Sequence, residues 1–251
     1  MAKRFQGKIA VIIGGSSGIG LASARAFARE GASVVISGRD VSKSQYAIQA
    51  IGHEATYYPC DLSSVSQIEA FFAAVRGSFG RIDILFVSAG VLAFAPVDRV
   101  TEADWDWLQN TNLKGTFFTV QKALPLMSVG SAVVLAGSTA GRQAVPTASV
   151  YGASKAGVRS LGRTFAAELL PRGIRVNVVS PGPTDTPIFA CARGLSEDSV
   201  EDQRQAEIES VPMKRMGTPD EVAAAVLFLA SEDAAFITGT ELLVAGGAAS
   251  F

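Results

Sequence analysis

Histidine is almost missing from this chain of 251 residues: His53 is the one copy, and Cys60 and Cys191 are the two cysteines. One imidazole and two distant thiols do not make a zinc set, and two cysteines are too few for a disulfide scaffold. His53 falls in the turn-like Gly52-His-Glu-Ala stretch and reads as a solvated loop residue, so histidine acid–base chemistry is set aside. Charge of one sign is missing too. Lys and Arg number 22 against 23 Asp and Glu, a net charge of −1, with no clustered basic patch; that excludes the electrostatic footprint of a nucleic-acid or anionic-membrane binder. Long apolar runs are also lacking. The longest, Val222 to Ala230, is far short of a membrane span of ~20 residues, and Met1-Ala-Lys-Arg-Phe-Gln reaches Gly7 without the apolar stretch of a signal peptide. The expectation is a soluble, cytoplasmic protein, whose 48% hydrophobic content suffices for a large core.

What is present is an alternation of short β-branched runs and longer alanine-rich stretches. Lys8–Ile13 reads as a strand buried on both faces. Gly14-Gly-Ser-Ser-Gly18-Ile-Gly20 follows at once, then a helical pattern from Leu21 to Glu30 with Gly31 as its stop. A strand, a glycine turn and a helix make a site for pyrophosphate, because the glycines let the ligand approach the backbone and the helix N-terminus offers free N–H groups. Ser33–Ser37 reads as the second strand, ending at Gly38-Arg39-Asp40. An acidic residue at that strand end would bond a ribose 2′-hydroxyl and repel a 2′-phosphate. Gly38 makes room instead, and Arg39 offers a charged fork to phosphate, so the expected dinucleotide is NADP(H).

Further strands are expected over Glu54–Tyr58, Ile82–Val87, Ser131–Ala136, Ile174–Val179 and Gly239–Val244, and helices over Val65–Phe79, Trp105–Met127 and Val150–Leu170. Repeated βα units imply one α/β domain over 1–251: a doubly wound, Rossmann-type parallel sheet of about seven strands with helices on both faces. Ligands then bind at the carboxyl ends of the strands, where Ser88, Ser138 and Ser180 fall. Tyr151 and Lys155 lie four residues apart on the helix-like stretch that follows Ser138. At that spacing two side chains share a helix face, and an ammonium near a phenol favours the phenolate. An isolated pair of this kind is more often an ordinary helix surface.

In this order and spacing, Gly14-xxx-Gly18-Ile-Gly20, Asp61-Leu62, Ala89-Gly90, Asn112-Leu-Lys-Gly115, Ser138, Tyr151-xxx-Lys155, Pro181-Gly182 with Thr186-Pro187, and Ile237-Thr-Gly239 resemble the classical short-chain dehydrogenases/reductases from Gly7 to about Gly247. The resemblance implies hydride transfer between a nicotinamide and a carbonyl or secondary alcohol, with Ser138 bonding the substrate oxygen and Tyr151 exchanging the proton. It also implies that Lys155 holds the nicotinamide ribose and lowers the tyrosine pKa, and that Asn112 anchors a water relay. For the cofactor it implies contacts from Gly14, Ser16, Ser17, Gly18, Ile19, Gly20, Gly38, Arg39, Leu62, Pro181, Gly182 and Thr184. Asp61 is assigned to the adenine, Ala89 and Gly90 to close approach of the backbone, and Thr186 to the nicotinamide amide; Asp61 could equally cap the next helix. No metal is implied. Members are often tetramers, so a homo-oligomer is the expected partner.

Two departures from the family pattern stand at the ends of the first and fourth strands: Ile13 for the usual Thr, and Val87-Ser88 for Asn-Asn. If those strands are neighbours, a polar contact has been replaced as a unit by an apolar one, which leaves the fold intact. Residues 187–219 are expected to form a substrate lid with an apolar inner face and a charged outer one. Val91–Phe94, Ala144–Pro146 and Phe189 would line an uncharged pocket, suited to a neutral, fairly apolar ketone unless Arg142 turns into it. A relative using NAD(H), or a dinucleotide-binding regulator without turnover, are the alternatives.

Overall fold

The computed structural model describes residues 3–52 and 55–250. His53, Glu54 at the expected start of the third strand, and Phe251 of the apolar tail lie outside the described residues.

Seven strands form one parallel sheet in the order β3-β2-β1-β4-β5-β6-β7. They are β1 (Ile9–Ile13), β2 (Ser33–Gly38), β3 (Ala55–Pro59), β4 (Ile82–Val87), β5 (Met127–Ala136), β6 (Arg175–Pro181) and β7 (Glu241–Val244). β1, residues 84–87 of β4 and residues 132–136 of β5 are apolar throughout because they are covered on both faces. One face holds Val11, Ile13, Leu85, Val87, Val133 and Leu135 against Phe71, Val120 and Phe165. The other holds Ala10, Ile12, Ile36, Phe86 and Val134 against Phe27, Val222 and Val226. Phe27 and Phe86 are wholly buried, and truncating such a ring to alanine costs about 3–5 kcal/mol.

The helices are α1 (Gly18–Arg29), α2 (Val41–Ile51), α3 (Val65–Phe79), α4 (Glu102–Gln109), α5 (Gly115–Ala123), α6 (Ser149–Leu169), α7 (Glu197–Ser210) and α8 (Pro219–Ala230). Most starts are legible chemically. Asp40 caps α2, Ser64 caps α3, and Thr218 with Glu221 forms a capping box on α8, where Pro219 takes the first position. The single helix expected over Trp105–Met127 is two helices joined by a π turn at Asn110–Lys114, and Met127 already belongs to β5. Pro125 stops the helix, and the chain then enters the sheet through exposed Ser128, Val129 and Gly130, the last with φ +87°.

Strand order reverses between β1 and β4, so their carboxyl ends open a crevice. Ile13 and Val87 are register partners there, both buried in the same cluster. The two family departures therefore do face each other as one apolar pair.

Candidate active site

The glycine turn is fixed by close contacts that no other residue could make. Gly14 has φ +83°, and a Cβ on it would stand 2.7 Å from Ala89, in the turn after β4. The N–H groups of Ser88 and Ala89 both donate to the Ile13 carbonyl at 2.9 Å. A side chain at Gly20 would collide with the Gly14 carbonyl, and one at Gly18 would meet Thr186 at 3.2 Å. Ser17 stands at the N-cap of α1 without bonding it, and the first turn carries no acid. The first N–H groups of α1 are thus left for an external anion.

Gly38 is buried at the end of β2, where a Cβ would lie 3.0 Å from Ser16 Oγ and 2.8 Å from Ser44 Oγ. Arg39 beside it is exposed and makes no ion pair among the described residues. Asp40 is turned to other work: Oδ1 accepts from the Lys43 N–H at 3.0 Å and Lys43 Nζ lies 3.9 Å from Oδ2. Asp61 forms a local turn, Oδ1 accepting from the Ser63 N–H at 2.9 Å and its hydroxyl at 2.8 Å, with the cap of α3 left to Ser64. Leu62 is buried beneath Gly115, Pro181 is the last residue of β6, and Gly182 packs on Ala245. Thr184 donates to the Gly182 carbonyl at 2.9 Å.

Ser138 follows β5, and Tyr151 and Lys155 face it from the first turns of α6; all three line one cavity of about 160 Å3 with Ile19, Gly90, Pro181, Gly182, Thr184 and Thr186. Tyr151 is half-buried, whereas Lys155 is only 5% exposed. Lys155 Nζ donates to the Ala136 carbonyl at 2.9 Å and lies 5.8 Å from the centre of the Tyr151 ring. Burial pushes the lysine down to about 8. Burial also pushes the phenol up, opposed by a hydrogen bond with Ser138 and reinforced by the carboxylate of Glu207. Lys155 is not among the groups that shift the phenol in the free protein, where its ammonium donates to the Ala136 carbonyl.

Asn112 occupies the π turn, a distortion that recurs at functional sites. Its Oδ1 accepts from the Val91 N–H at 2.8 Å, while Nδ2 donates to the Val91 carbonyl at 2.9 Å and to Ser154 Oγ at 3.1 Å. It ties the loop after β4 to α6. A Cβ on Gly90 would lie 3.3 Å from both Asn112 Oδ1 and Lys155 Nζ, so only glycine fits between them.

Leu92, Phe94, Val145, Ile188 and Phe189 supply apolar walls, in part as expected, while Val91 and Ala93 turn away into a separate cluster with Leu108 and Val150. Arg142 does not enter the cavity wall; it pairs with Glu241 at 3.5 Å, beside Arg159 at 2.7 Å. The uncharged pocket is the reading that needs correction, because Glu207 of α7 lines the cavity, as does Gln143. Val200, Arg204, Glu207 and Ile208 share one helical stripe, but that spacing alone does not say which cavity the stripe faces.

A family description of enoyl-(acyl carrier protein) reductase matches residues 14–249. The chain is 41% identical over 249 residues to oxidoreductase asL5 of Sarocladium schorii, covering 98% of each. It is 36% identical over 251 residues to 3-oxoacyl-[acyl-carrier-protein] reductase FabG of Thermotoga maritima, covering 97% of this chain and 98% of that one. The chain belongs to the short-chain dehydrogenase/reductase family. The solved structure of levodione reductase superposes with a TM-score of 0.93 at 31% identity, over 98% of this chain and 99% of that chain. The protein is thus an oxidoreductase of a family that binds a nicotinamide dinucleotide. The uncapped α1 and the Gly14–Ala89 approach fit such a group.

Proposed function

We propose that this enzyme interconverts a neutral carbonyl compound and its secondary alcohol with NADP(H). The observation that carries the reading is the meeting of Ser138, Tyr151 and Lys155 in one cavity at the carboxyl ends of the strands. Bound NADP(H) supplies the hydride. In the reducing direction Tyr151 delivers its phenolic proton to the substrate oxygen, and Ser138 donates a hydrogen bond where charge grows on that oxygen. A phenol pushed up by burial holds this proton at neutral pH. Lys155 holds the nicotinamide ribose, and Asn112, locked to Val91 and Ser154, anchors the relay that returns a proton from solvent. Gly14, Ser16, Ser17, Gly18, Ile19 and Gly20 take the pyrophosphate, with Asp61 and Leu62 at the adenine and Thr184 and Thr186 at the nicotinamide. Ala89 and Gly90 let the backbone approach.

The preference for NADP(H) rests on Gly38, packed against Ser16, and on the exposed Arg39 next to it, which has no ion-pair partner among the described residues. Titrating the protein with NADPH and NADH by tryptophan fluorescence tests it. Arg39→Ala should weaken NADPH by roughly tenfold or more, as loss of a charge-assisted contact does, and leave NADH within about twofold. Equal loss of both would remove the 2′-phosphate assignment. Residues 187–219 act as the lid over the substrate, and the assembled enzyme is a homo-oligomer, a tetramer by family habit.

A further inference from the structure

Glu207 is the one carboxylate among the side chains that line the substrate cavity. It is half-buried on α7, and its neighbours Val200 and Ile208 pack in an apolar cluster with Leu92, Phe189 and Tyr151. Oε1 accepts from Gln203 Nε2 at 2.9 Å; Oε2 has no protein donor, and no cation pairs with the group, among the described residues. Arg204 on the same stripe is drawn off to Asp185 at 2.9 Å. A half-buried acceptor left open in apolar surroundings carries a desolvation cost until a donor reaches it. Gln143 lines the same cavity and brings the one neutral amide. An amide and a carboxylate together suit a hydroxyl, which can donate to one and accept from the other.

We propose that Glu207 Oε2 accepts a hydrogen bond from a substrate hydroxyl, so that the site selects hydroxylated carbonyl compounds, and the diols they give on reduction, over plain ketones. The carboxylate also repels keto acids, which keeps the substrate neutral. Burial pushes the Glu207 carboxyl up, opposed by the Gln203 hydrogen bond that favours its ionised form. The inference rests on the oxidoreductase reading of the same cavity and narrows its substrate class.

The test compares 2-hydroxycyclohexanone, 2-methylcyclohexanone and 2-aminocyclohexanone, which share one shape and differ in one group. The expected kcat/KM with NADPH favours the hydroxyketone over the methylketone by about tenfold or more, the scale of one hydrogen bond to a charged group. Glu207→Leu should bring that ratio to about one, chiefly through KM, and Glu207→Gln, which keeps an acceptor, should preserve most of it. A folding defect would lower both ketones alike and leave the ratio in place. A ratio near one in the unaltered enzyme, or a ratio unchanged in Glu207→Leu, overturns the inference and leaves the oxidoreductase reading standing. Preference for the aminoketone that disappears in Glu207→Gln overturns it in favour of a cation site. Failure of the unaltered enzyme to oxidise NADPH or NADH with any of the three overturns the proposed carbonyl–alcohol reading together with the inference.

Discussion

Lys155 shows at the scale of one residue how a site can oppose the stability of its own fold. Its ammonium is 5% exposed, donates to Ala136 and has no carboxylate partner among the described residues, and burial lowers it from 10.5 to about 8. Below pH 8 the folded and unfolded chains both carry the proton, and folding bears the whole cost of burying it, about 3 kcal/mol on the difference of pKa. Between pH 8 and 10.5 the unfolded chain binds more protons than the native one, so stability rises with pH. Replacing this lysine with methionine should remove both the activity and the cost. We expect Lys155→Met to abolish turnover yet raise the melting temperature of the dinucleotide-free protein by several degrees at pH 7. By pH 9.5 that gain should shrink by more than half. An unchanged or lowered melting temperature at pH 7 would mean that the lost bond to the Ala136 carbonyl outweighs the relieved charge.

Elements carry the next lesson, because strands announced themselves by apolar continuity and helices by their caps. Ile82–Val87 and Val65–Phe79 fall where the pattern placed them. The boundaries that moved did so where tertiary pairing overrode a local signal. Gly130 reads as a breaker, yet β5 runs through it from Met127 by way of a register shift against Ile82 and Ile84. Helix α2 was not among the helices expected from the sequence; only Ser44 and Ala47 of it are buried. The pairing of β1 with β4 is the clearest case of a sequence inference about two elements at once. Ile13 and Val87 are partners at 1% and 2% exposure, so a polar group at either position alone would be buried without its mate, at about 1–3 kcal/mol. Denaturant unfolding of Ile13→Thr, Val87→Asn and the double variant should show each single loss recovered in part by the other, with a coupling of about 1 kcal/mol. Additive losses would show that the two strand ends behave independently.

For the whole molecule, the meeting of Ser138, Tyr151 and Lys155 in one cavity was legible because a doubly wound sheet gathers the carboxyl ends of its strands whatever the loops do. Glu207 was not, because its place depends on how α7 docks against Leu92 and Phe189, a contact that no local spacing fixes. The same limit applies to assembly. A folded monomer of 26.1 kDa is expected to expose about 10,500 Å2, whereas this chain exposes 11642 Å2. Among the described residues Phe236 is fully exposed, and Val97 and Val129 more than four-fifths so. Phe236 stands between α8, whose Phe228 is also exposed, and the edge strand β7. An uncovered edge with an exposed aromatic beside it is a surface for a second copy, since a free edge strand leaves its N–H and C=O groups unpaired. Ala248 of the apolar tail is already buried within the chain, so the tail does not cover Phe236 by way of that residue. Light scattering of the purified protein at about 20 μM should give a mass several times 26.1 kDa, and Phe236→Asp should shift it towards smaller species without loss of helical content. A monomer at that concentration would overturn the expected assembly, and an oligomer indifferent to Phe236→Asp would move the interface away from the β7 edge.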